Sequence, residues 1–121
     1  MEKVGVLVVD DQELFRDAMA AVVEVTDGFV LVGSVTTGED AVLAATRLRP
    51  RLVLMDVNLP GIDGVEATRR LRAGDRPPAV VLVSSYEETD LDLRGCGAVA
   101  YIPKSEFGPD RLAESWARRS D

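Results

Sequence analysis

Four apolar runs in this 121-residue chain each stop at a residue with usable chemistry. VGVLVV ends at Asp10 and Asp11, RLVLM at Asp56, AVVLV at Ser84, and AVAYIP at Lys104. Three carboxylates, a hydroxyl and an ammonium, once gathered, would suit a cation and a phosphate together. Like charges a few Å apart oppose each other's ionisation, at about 1–4 kcal/mol per pair for effective dielectric constants of roughly 80 to 20. Something must offset that repulsion, and Mg²⁺ suits a site with one or two direct carboxylates, a backbone carbonyl and retained waters. With the charge balanced, one carboxylate oxygen can act as a nucleophile towards phosphorus. Lys104 is the candidate ammonium for the equatorial oxygens and Ser84 the hydroxyl donor.

Those residues must be positioned by the elements that the apolar runs define. Val4–Val9 is a continuous β-branched run, the pattern of a strand buried on both faces. Glu13–Val25 carries Leu14, Phe15, Ala18, Val22 and Val25 at helical spacing and stops at Asp27-Gly28. Phe29–Val35 reads as a second strand. A second helix opens at Thr37-Gly38, carries Ala41, Ala44, Ala45 and Leu48 on one stripe and closes at Pro50. Leu52–Met55 is a short third strand, followed by the turn signal Asn58-Leu59-Pro60-Gly61 and a third helix over Gly64–Arg72. Strands over Ala79–Val83 and Ala98–Ile102, with helices over Glu87–Arg94 and Pro109–Arg119, complete five of each. Strict alternation with short connections predicts an α/β fold: a doubly wound five-stranded parallel sheet, flavodoxin-like order 2-1-3-4-5, with helices on both faces. In that order the first and third strands are neighbours and the chain reverses between them. The carboxyl ends of the strands, where Asp10, Asp11 and Asp56 fall, form the crevice in which such sheets bind ligands.

Composition narrows the chemistry further. A chain with 46% apolar residues and this length suits one domain, 1–121. A net charge of −7 disfavours direct nucleic-acid binding and an anionic membrane partner. No apolar stretch approaches a membrane span, and the N-terminus runs straight into acidic residues, so a soluble cytoplasmic protein is expected. The single cysteine, Cys96, lies between Gly95 and Gly97 and is expected to be a reduced thiol in a loop. Histidine is absent, which excludes a Cys/His zinc site and a histidine-borne phosphoryl group within the chain. Any phosphohistidine in this chemistry must come from a partner.

The chain resembles the receiver domain of bacterial two-component response regulators. The resemblance rests on VVDD at Asp10-Asp11, LMDVNLPGIDG around Asp56, LVSS at Ser84-Ser85 and GAVAYIPK ending at Lys104, in the family's order and spacing. It implies that Asp56 accepts a phosphoryl group and that Asp10 and Asp11 bind Mg²⁺ with Asp56 and the backbone carbonyl of Asn58. It also implies that Ser84 bonds the phosphoryl group, that Tyr101 is the aromatic switch and that Lys104 is the family's lysine. On this reading a histidine kinase or a small phosphodonor loads Asp56. The surface of the fourth helix, fifth strand and fifth helix is then re-presented to an output partner or output domain, with dimerisation on phosphorylation a possible consequence. Asn58 and Tyr86, two residues beyond the acceptor and beyond Ser84, are placed to tune the lifetime of the phosphorylated state. The chain would not be an enzyme beyond transfer to itself and its own dephosphorylation. The chain departs from many receivers in carrying Pro103 before Lys104 instead of a proline after it, so an ordinary trans Lys104-Ser105 bond is expected.

Plainer readings of the same residues exist. Asp10 and Asp11 could be an N-cap and a first-turn acid, Asp56 a turn acid, Ser84 a strand-end cap, Tyr101 a core residue and Lys104 a solvated charge. Trp116 shares a stripe with Leu112 and Ala113 and reads as core more than as a docking anchor. Two other functions fit less well. A phosphatase or phosphotransferase using an aspartyl-phosphate places its two aspartates two residues apart after the first strand, whereas here they are adjacent. A phosphorylation-independent pseudo-receiver usually lacks the acceptor or the acidic pair, and neither is missing. The YIPKSEF and SSYEE segments are most similar to receivers of helix-turn-helix regulators, yet the chain stops at Asp121. It is therefore either a stand-alone receiver or one cut from a longer DNA-binding regulator.

Overall fold

A computed structural model describes residues 2–85 and 95–119. Five strands, β1 (Val4–Val9), β2 (Phe29–Val35), β3 (Leu52–Asp56), β4 (Ala79–Ser84) and β5 (Ala100–Pro103), form one parallel sheet in the order β2-β1-β3-β4-β5. Four helices are described: α1 (Glu13–Val25), α2 (Gly38–Leu48), α3 (Gly64–Arg72) and α4 (Pro109–Ala117), with a 3₁₀ turn at Lys104–Glu106. The helix expected over 87–94 lies outside the described residues, so α4 is the helix expected fifth. No helix among the described residues is long and apolar enough to cross a membrane.

The inner strands β1, β3 and β4 are apolar up to their last residues because both faces are covered, whereas the edge strand β2 is partly exposed. Leu7, Val9, Val53, Met55, Val80 and Leu82 pack against Ala41 and Ala44 of α2 and Ala67 and Leu71 of α3. Their alternates Val6, Val8, Leu54, Val81, Val83 and Ile102 pack against Met19 and Val23 of α1 and Leu112 of α4. Small residues on α2 bring that helix close to the sheet, while larger ones fill the other layer. Trp116 belongs to this second layer as a partly buried rim residue, its ring edge-on to Phe29 at 6.4 Å.

Caps explain where two helices begin. Thr37 accepts the Asp40 N–H at 3.0 Å and Asp63 accepts the Glu66 N–H at 2.8 Å, each satisfying a donor that the first turn leaves free. At α1 the plainer reading of the acidic pair does not hold: the N-cap is Gln12, and neither Asp10 nor Asp11 occupies that position. Asp10 accepts the Gln12 N–H at 2.8 Å in an Asx turn just ahead of the helix. The fifth strand starts at Ala100, two residues later than expected, because Gly97 turns the chain with φ +95°. Cys96 falls in that turn but is a buried free thiol, contributing to the α2/α3 layer. No cis peptide bond occurs among the described residues, so Lys104-Ser105 is trans.

Candidate functional site at the carboxyl ends of the strands

Strand register delivers the chemical residues to one edge. Val9 pairs with Met55, Asp56 with Val83 and Val83 with Ile102, so position 10 lines up beside 56, 83 and 102. Asp10 and Asp56 thus follow directly from the last buried residues of neighbouring strands. Alternation along the strands then divides the set. Asp10, Asp56 and Lys104 continue the parity of the α1/α4 face, whereas Ser84 and Tyr101 share the parity of the α2/α3 face.

Asp10 is fully buried and Asp56 is 3% exposed, while Asp11 projects into solvent. Each of the three carboxylates offers an oxygen within 4.8 Å of the others. Lys104 reaches back over them, its Nζ 3.0 Å from Asp10 Oδ2 and 3.7 Å from Asp56 Oδ2. That single ammonium leaves the cluster with an excess of negative charge. Burial pushes the Asp56 carboxyl up to about 6, Asp10 adds to the push, and Lys104 and the Asn58 N–H pull it part of the way back. Asp10 Oδ2, although it faces the ammonium, accepts no hydrogen bond of good geometry among the described residues. An under-satisfied buried oxygen beside two further carboxylates is the donor set that a hard divalent cation takes, so the residues fit Mg²⁺.

Two residues that sequence reasoning passed over hold Lys104 in place. Gln12 Oε1 accepts from Nζ at 3.0 Å, and the Phe15 ring lies beneath the ammonium with its centroid 4.5 Å away. A separation of 92 positions between Gln12 and Lys104 hid the contact. The available clue was their spacing, three apart at the start of a helix that follows the acidic pair. Arg16 adds a hydrogen bond to the Asp10 carbonyl at 2.9 Å, fixing the backbone beneath the carboxylate.

The loop after Asp56 is held at both ends. The Val57 N–H bonds to the Val83 carbonyl at 3.1 Å, and the Gly64 N–H bonds to the Val57 carbonyl at 2.8 Å. Helix α3 therefore begins against the backbone of Asp56, and a Cβ on Gly64 would sit 2.1 Å from the Asp56 carbonyl oxygen. Only glycine permits that approach. Asn58 is exposed, and its N–H lies 3.4 Å from Asp56 Oδ1. Ser84 is buried at the end of β4, and the hydroxyl of buried Tyr101 makes a long hydrogen bond, 3.5 Å, to the Ser84 carbonyl. Tyr86 lies outside the described residues.

Comparison with known proteins decides the family. The model of the response regulator receiver domain matches residues 6–116. The chain belongs to the response regulator receiver family. Among its relatives, the positive alginate biosynthesis regulatory protein of Pseudomonas aeruginosa is 37% identical over 117 residues, spanning 96% of this chain and 47% of that protein. The response regulator GacA of Pseudomonas protegens is 41% identical over 103 residues, spanning 84% of this chain and 48% of that protein. This receiver thus spans about half the length of the curated relatives it matches. Among solved structures, the signal receiver domain of NarL from Mycobacterium tuberculosis superposes with a TM-score of 0.89 at 25% identity, covering 98% of this chain and 100% of that one. The response regulator domain of Thermotoga maritima CheB gives 0.86 at 25% identity, covering 99% of each chain. The sheet order matches the fold expected from the sequence.

Proposed function

We propose that this receiver, as a single domain, accepts a phosphoryl group on Asp56 from a phosphohistidine of a partner kinase, or from a small phosphodonor. The observation that carries the reading is the buried Asp56 carboxylate held within 4.8 Å of two further carboxylates and 3.7 Å from a lysine ammonium. In the transfer an Asp56 oxygen forms a bond to phosphorus as the nitrogen–phosphorus bond of the donor breaks, and the donor imidazole keeps the electron pair. Asp10, Asp11, Asp56 and the Asn58 carbonyl would hold Mg²⁺. When bound, it supplies the positive charge that keeps the carboxylates ionised and offsets charge on the phosphoryl oxygens.

The chain's own residues do the rest. Asp56 is a competent nucleophile at neutral pH because its carboxyl, raised to about 6, is still mostly ionised at pH 7 and above. Lys104 brings an ammonium to the same edge and can follow the charge onto the transferred group, with Gln12 and Phe15 orienting it. Ser84 offers a hydroxyl to a phosphoryl oxygen, and Tyr101, already bonded to the Ser84 backbone, responds to movement there. The altered face around β5 and α4 then meets an output partner or an output domain, alone or as a dimer. Asn58 and Tyr86 set how readily water removes the group. The acidic balance leaves any DNA contact to that output partner.

The test is intact-protein mass spectrometry after incubation with acetyl phosphate and Mg²⁺. Wild type is expected to gain one phosphoryl mass and Asp56→Asn none. An unmodified wild type, or a phosphorylated Asp56→Asn, overturns the assignment.

A further inference from the structure

The opposite edge of the sheet has a different character. A cleft of 1210 Å³ opens among the amino ends of β3, β4 and β5 and the carboxyl ends of α2, α3 and α4. Among the described residues its lining holds seven arginines and one acid, Asp75, a formal charge of +6 from those residues in a chain of net −7. We propose that this cleft binds a compact polyphosphate anion.

The arginines fall into groups by what they already touch. Arg70 pairs with Glu66 at 3.0 Å and Arg72 donates to the Pro78 carbonyl at 3.0 Å, so these two are committed to the fold. Arg51 and Arg119 lie over the Trp116 ring, 5.2 Å and 3.7 Å from its centroid. Arg49, Arg76 and Arg118 are exposed and have no carboxylate partner among the described residues. The negative ends of three helices account for part of this excess. Arg51 and Arg76 belong to no helix, however, and Arg49 sits where arginine is poorly suited. It closes α2 at φ 49°, a left-handed position that favours glycine, at a cost of about 1 kcal/mol. A charged residue in such a conformation points to a use for its side chain.

The ligand class follows from geometry and charge. Guanidinium groups bind phosphate and carboxylate with two parallel hydrogen bonds, which a lysine cannot do. Several unpaired forks around one concavity call for an anion whose charges are close together, as in a di- or triphosphate. At 1210 Å³ the cleft exceeds the roughly 300–1,000 Å³ of ordinary small-molecule pockets, so it is an open cleft with room for the anion and its water. A long polyanion would have to cross the acidic remainder of the surface, where repulsion acts over about 10 Å at 0.1 M salt.

Trp116, the one tryptophan of the chain, reports directly on the cleft. Its emission is to be followed during titration with sodium tripolyphosphate, and in a parallel arm with ATP, in 0.15 M NaCl and EDTA so that no divalent metal contributes at the other edge. A saturable change with tripolyphosphate is expected, with none from sulfate at matched ionic strength. Arg49→Gly combined with Arg76→Gln should weaken binding about tenfold or more, and Arg118→Gln alone should weaken it in the same direction. Glycine suits the conformation at position 49, and far-UV circular dichroism confirms that each variant folds. Equal binding of ATP and tripolyphosphate assigns recognition to the phosphates; tighter ATP binding adds the nucleoside to the ligand. No saturable change, an equal response to sulfate, undiminished binding by the variants, or binding of poly-glutamate but not tripolyphosphate overturns the proposal.

Discussion

The two ends of this sheet handle charge in opposite ways. At the carboxyl edge, Asp10 and Asp56 are buried side by side on neighbouring strands, and one ammonium spans both at 3.0 and 3.7 Å. At the amino edge, arginines surround a cleft while keeping much of their surface in water. Burial makes the first arrangement electrostatically strong and sensitive to any change of charge, whereas solvent screens the second. At the carboxyl edge Asp56 is raised to about 6, chiefly by burial. Keeping Asp56 ionised in that setting costs the carboxyl edge stability.

Substitutions at the two edges sharpen that contrast. Gly64→Ala should have the largest effect, about 3 kcal/mol of destabilisation by urea denaturation, because the added carbon would meet backbone at 2.1 Å on the acceptor strand. Less than about 1 kcal/mol would mean that α3 can move away from Asp56 freely. Lys104→Met should cost roughly 2–3 kcal/mol at pH 7.5, since two buried carboxylates lose their counter-charge, and should recover much of that loss near pH 4.5. An equal loss at both pH values would point to packing against Phe15 instead of charge.

Asp56→Asn has the opposite sign. The wild-type carboxyl ionises at about 6 in the fold against an ordinary 3.8, so the native state holds that proton more tightly than the unfolded chain does. The stability this group contributes is fully present below about pH 4 and is lost as pH rises through about 6. The asparagine variant should therefore be more stable than wild type by about 1–3 kcal/mol at pH 7.5, with the difference vanishing near pH 4. A difference that does not change with pH would separate it from ionisation. At the amino edge, Arg49→Gly should stabilise by about 1 kcal/mol through relief of the left-handed backbone, with little dependence on pH. A loss of stability there would give Arg49 a structural role.

The sequence revealed the carboxyl edge far better than the amino edge, for a physical reason. Each acid or hydroxyl of the first follows a buried apolar run, and parallel strands bring such run ends together whatever the loops do. Asp10, Asp56, Ser84 and Lys104 could therefore be placed before any coordinates were known. The order of the sheet followed from strict alternation and the count of five strands. The arginines come instead from turns and helix ends between positions 49 and 119, with no shared local pattern, so only folding assembles them. Fine placement was also hidden. Nothing local to Asp10 shows that its carboxylate serves the Gln12 N–H ahead of the helix instead of capping it, or that the fifth strand waits for the turn at Gly97.

The double fastening of the Asp56 loop has a mechanical consequence. With Val57 tied to β4 on one side and to the first residue of α3 on the other, Asp56 stands on a mount fastened at both sides. Under the proposed phosphorylation of Asp56, a bulky, doubly charged group would meet a loop fastened at both ends. Its load would pass sideways through the hydrogen bond from Val57 to the Val83 carbonyl, one residue before Ser84 and in register with Ile102 of β5. Glycine at position 64 would then act as the bolt of that mount, turning a local chemical event into a push on the neighbouring strands.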